Sequence, residues 1–101
     1  MYISTYEELS AFCERAARFN AIAVDTEFLR ERTYHPRLCL VQVATPDECV
    51  VIDVIAIDNL APLAILMRDE GTVKVFHACS QDMEVLNYTL GALPAPIFDT
   101  Q

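Results

Sequence analysis

Two apolar runs in the middle of the chain, residues 38–44 and 49–54, are separated by only four residues. Both runs are rich in valine with leucine or isoleucine, which favours strands. A four-residue link is too short for the crossover that parallel strands need, so the two strands are predicted to form an antiparallel hairpin. The hairpin excludes a sheet built only from alternating strands and helices.

The remaining segments predict three helices and four further strands. Thr5 and Glu8 have the spacing of a capping box, which places a helix over residues 5–18. Pro62 suits the first turn of a short helix over residues 60–67, while Ser80 and Gly91 delimit a third helix. The other strands are predicted at Tyr2–Ile3, Ala21–Leu29, Val73–Phe76 and residues 97–98. The order β-α-β-β-β-α-β-α-β predicts an α/β fold with a mixed sheet flanked by helices.

Composition limits the class of protein. The chain has 101 residues, of which 53% are hydrophobic, so it can form the core of one domain but not of two. Asp and Glu outnumber Lys and Arg by 15 to 7, and the net charge is −8. This charge has the wrong sign for holding nucleic acid by bulk electrostatics, so a nucleic-acid substrate would need local attraction from metal ions and a small basic patch.

The sequence contains four cysteines without a zinc-binding spacing, and no apolar run of the length that a membrane span needs. We interpret the cysteines as small buried hydrophobic residues with reduced thiols, and we expect a cytoplasmic protein without a membrane partner.

Asp25 and Glu27 stand two residues apart on a predicted strand, so both carboxylates point to the same face and Thr26 to the other. A hard divalent cation, Mg²⁺ or Mn²⁺, would relieve the repulsion between them. The alternative is a pair of solvated charges at a strand end. Asp82 lies in the first turn of the third helix, where a carboxylate also favours the helix macrodipole. Together, the strand end and the strand-to-helix turn can bring three carboxylates to one edge of the sheet.

Three segments carry a family resemblance: VDTEF at residues 24–28, FHACSQDMEVL at residues 76–86, and PIFDTQ at residues 96–101. They resemble the motifs of the DEDD superfamily of 3′→5′ exonucleases, and most closely the ribonuclease D group. The resemblance covers essentially the whole chain, including residues 30–36, and implies a ribonuclease H-like fold.

The resemblance also implies a two-metal mechanism for hydrolysing phosphodiester bonds from RNA 3′ ends. Asp25 would bridge both ions, Glu27 would bind the ion that activates water, and Asp82 would support the second ion directly or through water. The product would be a nucleoside monophosphate, and tRNA precursors are the expected RNA substrates. A DNA 3′→5′ exonuclease shares these carboxylates and is an alternative.

One motif of this family is missing from the sequence. The superfamily has a third motif, a Tyr or His followed four residues later by a fourth Asp, and nothing after Asp82 matches it; Tyr88 is followed at that distance by Ala92. We therefore expect residues 1–101 to be the N-terminal portion of an exonuclease catalytic domain, truncated, and to bind metal poorly and show little or no nuclease activity alone. A different class of function is a non-catalytic acidic α/β fragment that acts through protein association, including homo-oligomers.

Further residues have two interpretations each. Phe28 could stack against the terminal base or belong to the core. His77 could contact substrate or complete a turn. Arg30 and Arg32, in a basic cluster with His35 and Arg37, could follow backbone phosphates or be simply solvated.

Overall fold

The computed structural model describes residues 1–29, 37–77 and 80–101. Its elements follow the predicted order, and their bounds lie within two residues of the predicted ones. They are β1 (Tyr2–Ile3), α1 (Tyr6–Ala16), β2 (Ala21–Leu29), β3 (Arg37–Ala44), β4 (Cys49–Asp53), α2 (Ala61–Arg68), β5 (Val73–Phe76), α3 (Ser80–Leu90) and β6 (Ile97–Asp99).

The six strands form one mixed sheet in the order β1-β4-β3-β2-β5-β6. β3 runs antiparallel to both β2 and β4, whereas β1 is parallel to β4, β5 to β2, and β6 to β5. The predicted hairpin and the predicted α/β class with a mixed sheet are therefore confirmed. Thr45 closes the turn between β3 and β4. Its backbone N–H donates to the Glu48 carbonyl oxygen at 2.8 Å, and its hydroxyl accepts the Glu48 N–H at 3.1 Å.

The core lies between the helices and one face of the sheet. Alternate strand residues of this helix-covered face join residues of α1, α2 and α3 in a single cluster, and they include Ile22, Val24, Val41, Val43, Val50, Ile52 and Phe76. Residues that alternate with them, such as Ala23, Gln42 and Val75, are exposed or half-buried. We call the face that carries these residues the open face. The chain thus has a two-layer arrangement with one well-covered side of the sheet.

Helix α1 begins with the predicted capping pattern. The Thr5 side-chain oxygen accepts the Glu8 backbone N–H at 3.2 Å, and the Glu8 carboxylate accepts the Ser4 N–H at 3.3 Å. At the other end of the helix, Arg15 forms a salt bridge with Glu48 at 2.8 Å and so connects α1 to the hairpin turn. Within the residues that the structure describes, none of the helices is long and apolar enough to cross a bilayer.

Lys74 is a fully buried cation that holds the segment before β6. Its Nζ donates to the backbone carbonyl oxygens of Asp69 and, at 3.0 Å, of Ala95. Burial lowers the pKa of Lys74, and the nearby Asp69 charge partly opposes this change. Because Ala95 immediately precedes the residues leading into β6, this contact helps to place Asp99 at the carboxyl end of the sheet.

The interpretation of the cysteines as buried hydrophobic residues is correct for only one of the three that the structure describes. Cys13 is buried in α1, and burial raises the pKa of its thiol to about 12. Cys39 is half-buried and Cys49 is exposed. Cys49 pairs with Ala44 at the start of β4 and faces away from the helices, which explains its exposure.

Candidate metal centre

The carboxyl end of β2 carries Asp25 and Glu27 past the point where its neighbour stops. β2 pairs with β5 only as far as Ala23, but it continues beside β3 to Leu29. Asp25 and Glu27 are exposed while Thr26 between them is 9% exposed, so the predicted alternation of faces is confirmed. Both carboxylates are therefore accessible to a solvated cation or a substrate.

Asp82 approaches this strand from the first turn of α3. It is buried, and it accepts a hydrogen bond from the Thr26 hydroxyl. Burial raises the pKa of Asp82, and the negative charges of Asp25 and Asp99 raise it further, whereas hydrogen bonds from Thr26 oppose the change. The charges of Asp25 and Asp99 therefore act on Asp82 at the carboxyl ends of the strands.

The expected convergence of Asp25, Glu27 and Asp82 is only partly present. Among residues 1–29, 37–77 and 80–101, no three His, Cys, Asp or Glu side chains lie close enough to form a metal-binding group. Asp82 is bound on the Thr26 side of β2, whereas Glu27 points from the opposite side. The oxygen donors suit a hard divalent cation, so the residues fit such an ion chemically as an incomplete ligand set. Their role as catalytic metal ligands remains a prediction.

One oxygen of Asp25 already has a partner, because Oδ1 accepts the backbone N–H of Thr26 at 3.0 Å. This contact orients the carboxylate within its own strand. Thr26 thus donates from its backbone to Asp25 and from its side chain to Asp82. The sequence predicted only that Thr26 points to the face opposite Asp25 and Glu27. The motif alone does not show what packs against that face.

A cavity of about 420 Å³ lies next to Asp25. Its polar lining comes from Asp25, Gln42, His77 and Thr100. His77 Nδ1 lies 3.0 Å from the Thr100 hydroxyl oxygen, and that hydroxyl donates to the Phe76 carbonyl oxygen at 3.3 Å. His77 is therefore exposed beside Asp25 with one ring nitrogen engaged, which is compatible with both interpretations offered for it.

Phe28 lies on the Thr26 side of β2, half-buried and packed against the core cluster. The pairing of β2 with β3 shifts at this point, because Glu27 pairs with Leu40 and Phe28 with Leu38. The packing favours the core interpretation of Phe28, and a stacking role stays a prediction. Arg30, Arg32 and His35 lie outside the described residues, and Arg37 is exposed at the start of β3.

Comparison with known proteins decides the family. A family model described as a 3′-5′ exonuclease matches residues 1–101. This chain belongs to the 3′-5′ exonuclease family. The predicted resemblance to the ribonuclease D group is also confirmed, because the chain is 54% identical over 100 residues to ribonuclease D of Gluconacetobacter diazotrophicus, covering 98% of this chain and 25% of that protein.

Solved structures show the same fold for this exonuclease family member. The crystal structure of Escherichia coli RNase D, an exoribonuclease involved in structured RNA processing, has a TM-score of 0.95 and 41% identity, over 99% of this chain and 27% of that one. The catalytic core of RRP6 from Trypanosoma brucei has a TM-score of 0.91 and 28% identity, over 98% of this chain and 28% of that one. The chain thus spans about a quarter of the length of the curated ribonuclease D proteins that it matches.

Proposed function

We propose that this chain supplies the first three carboxylates of a divalent-metal-dependent 3′→5′ exoribonuclease of the ribonuclease D kind. The observation that carries the proposal is the contact between the two motifs: Asp82 of the second motif is hydrogen-bonded to the strand that bears Asp25 and Glu27. Family membership and the close fit to E. coli RNase D support it.

Asp25, Glu27 and Asp82 would hold the Mg²⁺ or Mn²⁺ ions. Such ions neutralise the charge on the attacking and leaving oxygens of an in-line displacement at phosphorus. In the reaction, a water oxygen bonds to phosphorus, the bond from phosphorus to the 3′ oxygen breaks, and the shortened RNA takes up a proton on its new 3′ hydroxyl. A nucleoside monophosphate leaves.

RNA is the proposed substrate, and tRNA precursors are the proposed physiological targets in the cytoplasm. The net charge of residues 1–101 is −8, so within this chain attraction to phosphates would come from the ions and from the few arginines after the first motif. The structured-RNA processing of the E. coli relative supports this choice over DNA.

A chimera tests the function directly. Residues 1–101 would replace the matching 27% of E. coli RNase D, and the chimera would be assayed with Mg²⁺ on a 5′-labelled single-stranded RNA and on the DNA of the same sequence. We expect the RNA to shorten one nucleotide at a time. Asp25→Asn should slow the reaction roughly 10³-fold or more, since losing a ligand removes several kcal/mol of charge stabilisation.

Two controls make the outcome decisive. Asp47→Asn changes an exposed carboxylate in the hairpin turn and should leave the rate unchanged. The 101-residue chain alone should show little or no activity, because no third motif follows Asp82 in it. A folded chimera that is inactive beside active E. coli RNase D, or one that tolerates Asp25→Asn, would contradict the proposal; faster degradation of DNA would contradict the assignment to RNA.

A second candidate role is association of this chain with another copy. The open face supports it, because this face presents half-buried apolar side chains such as Leu40, Val51 and Val75. Such an association is compatible with the nuclease assignment, because it is proposed for residues 1–101 alone.

A further inference from the structure

Thr26 connects two halves of the site through a buried hydrogen bond. It stands between Asp25 and Glu27 but points to the helix-covered face, where its hydroxyl donates to Oδ1 of Asp82. Thr26 is 9% exposed and Asp82 is 8% exposed, so little water competes for this bond. This bond joins α3 to the strand that carries the other two carboxylates.

A β-branched side chain on a strand is well suited to orienting a neighbour. Threonine has a restricted first side-chain torsion, so its hydroxyl occupies a nearly fixed position relative to the β2 backbone. A carboxylate that accepts a hydrogen bond from this hydroxyl loses rotational freedom in turn. The Asp82 carboxylate is then held in one orientation beside β2.

We propose that Thr26 is a positioning residue: its hydroxyl selects the side-chain rotamer of Asp82 and so sets where the third carboxylate stands relative to Asp25. The consequence for metal binding rests on the proposed function. The competing explanation is that the hydrogen bond merely docks α3 onto β2, in which case its loss would lower stability but leave the orientation of Asp82 unchanged.

A measurement without metal separates these explanations. Thr26→Val removes the hydroxyl at nearly constant volume, and Thr26→Ser keeps it. Three-bond NMR couplings across the Asp82 side chain of the 101-residue chain report its first torsion. We expect one rotamer in the wild type and in Thr26→Ser, and averaging over several in Thr26→Val while the amide shifts of α3 persist. If Thr26→Val is unfolded by circular dichroism, Thr26→Ala is measured in its place. A single unchanged rotamer in the folded hydroxyl-free variant overturns the proposal.

Mn²⁺ affinity then tests the consequence at the site. Loss of a residue that orients a ligand typically costs about 10-fold or more in metal affinity. In the chimera with E. coli RNase D, Thr26→Val should therefore weaken Mn²⁺ binding by about that factor, measured by electron paramagnetic resonance of the free ion. Thr26→Ser should stay near the wild type. Thr26→Val should add little to Asp82→Asn in the double variant, because both act through the same carboxylate.

These measurements distinguish failure of the metal site from failure of the positioning role of Thr26. If Asp25→Asn weakens Mn²⁺ binding but Thr26→Val does not, the metal site stands and the positioning role is overturned. If the wild-type chimera of residues 1–101 with E. coli RNase D binds no Mn²⁺, or neither Asp25→Asn nor Asp82→Asn changes its binding, the metal-site part of the proposed function fails. The torsion measurement still decides in that case whether Thr26 orients Asp82.

Discussion

At the scale of single residues, the charged form of the buried Asp82 lowers the free energy of unfolding. Burial and the charges of Asp25 and Asp99 raise the pKa of Asp82. The folded chain therefore binds its proton more tightly than the unfolded chain does, and stability falls as the pH rises through the window between the ordinary and the raised pKa. Asp82→Asn keeps an oxygen to accept the Thr26 hydroxyl and removes the charge. We expect it to raise the free energy of unfolding at pH 7, with no gain below the ordinary Asp pKa.

Urea unfolding across this pH range measures the effect, with Asp47→Asn, in an exposed turn, as the matched control. A loss of stability at pH 7 would show that the charged form is favoured in the fold.

Among the residues of the candidate site, some features could be predicted from the sequence and others could not. The facing of Asp25, Thr26 and Glu27 follows from strand alternation, which is a local rule. The burial of Asp82 and its bond to Thr26 depend on how α3 packs against β2, 56 positions away in sequence. No local pattern reports such a contact, so both were missed.

At the scale of elements, the cap of α1 makes a quantitative prediction. Thr5 accepts the Glu8 N–H through its side chain, so Thr5→Ala leaves an N-terminal donor without this partner. We expect a loss of about 1 kcal/mol in the free energy of unfolding, measured by urea titration. Thr5→Ser keeps the acceptor and should remain close to the wild type; equal losses in both variants would refute the capping explanation.

Element order could be predicted because each element carries a local signal. The short link between β3 and β4 required a hairpin. Thr5 and Ser80 marked the starts of two helices, and Pro62 marked the first turn of α2. The shift in pairing between Glu27 and Phe28 gave no such signal, because register depends on both strands together. Exposure of Cys49 was missed for a related reason: its apolar neighbours suggested a core strand, whereas only one face of that strand meets the helices.

At the scale of the whole molecule, the open face leads us to expect self-association. Apolar side chains on it favour pairing with a second copy, while a net charge of −8 opposes it. Sedimentation of the 101-residue chain at roughly 0.05 and 0.5 M salt should therefore show more dimer at the higher salt, because screening weakens the repulsion. Val75→Glu, on the open face, should yield monomers, and Ile65→Glu, exposed on α2, should not. Monomers under all conditions, or equal effects of the two variants, would contradict this expectation.

The outermost strands limit what kind of assembly the chain can form. β1 has two residues and β6 has three, so each lateral border of the sheet presents only a short row of backbone donors and acceptors. Fibril growth needs a long, regular border to which the next strand can add. The chain is therefore poorly suited to template cross-β polymers, and we expect contact through the open face to give discrete, closed assemblies instead.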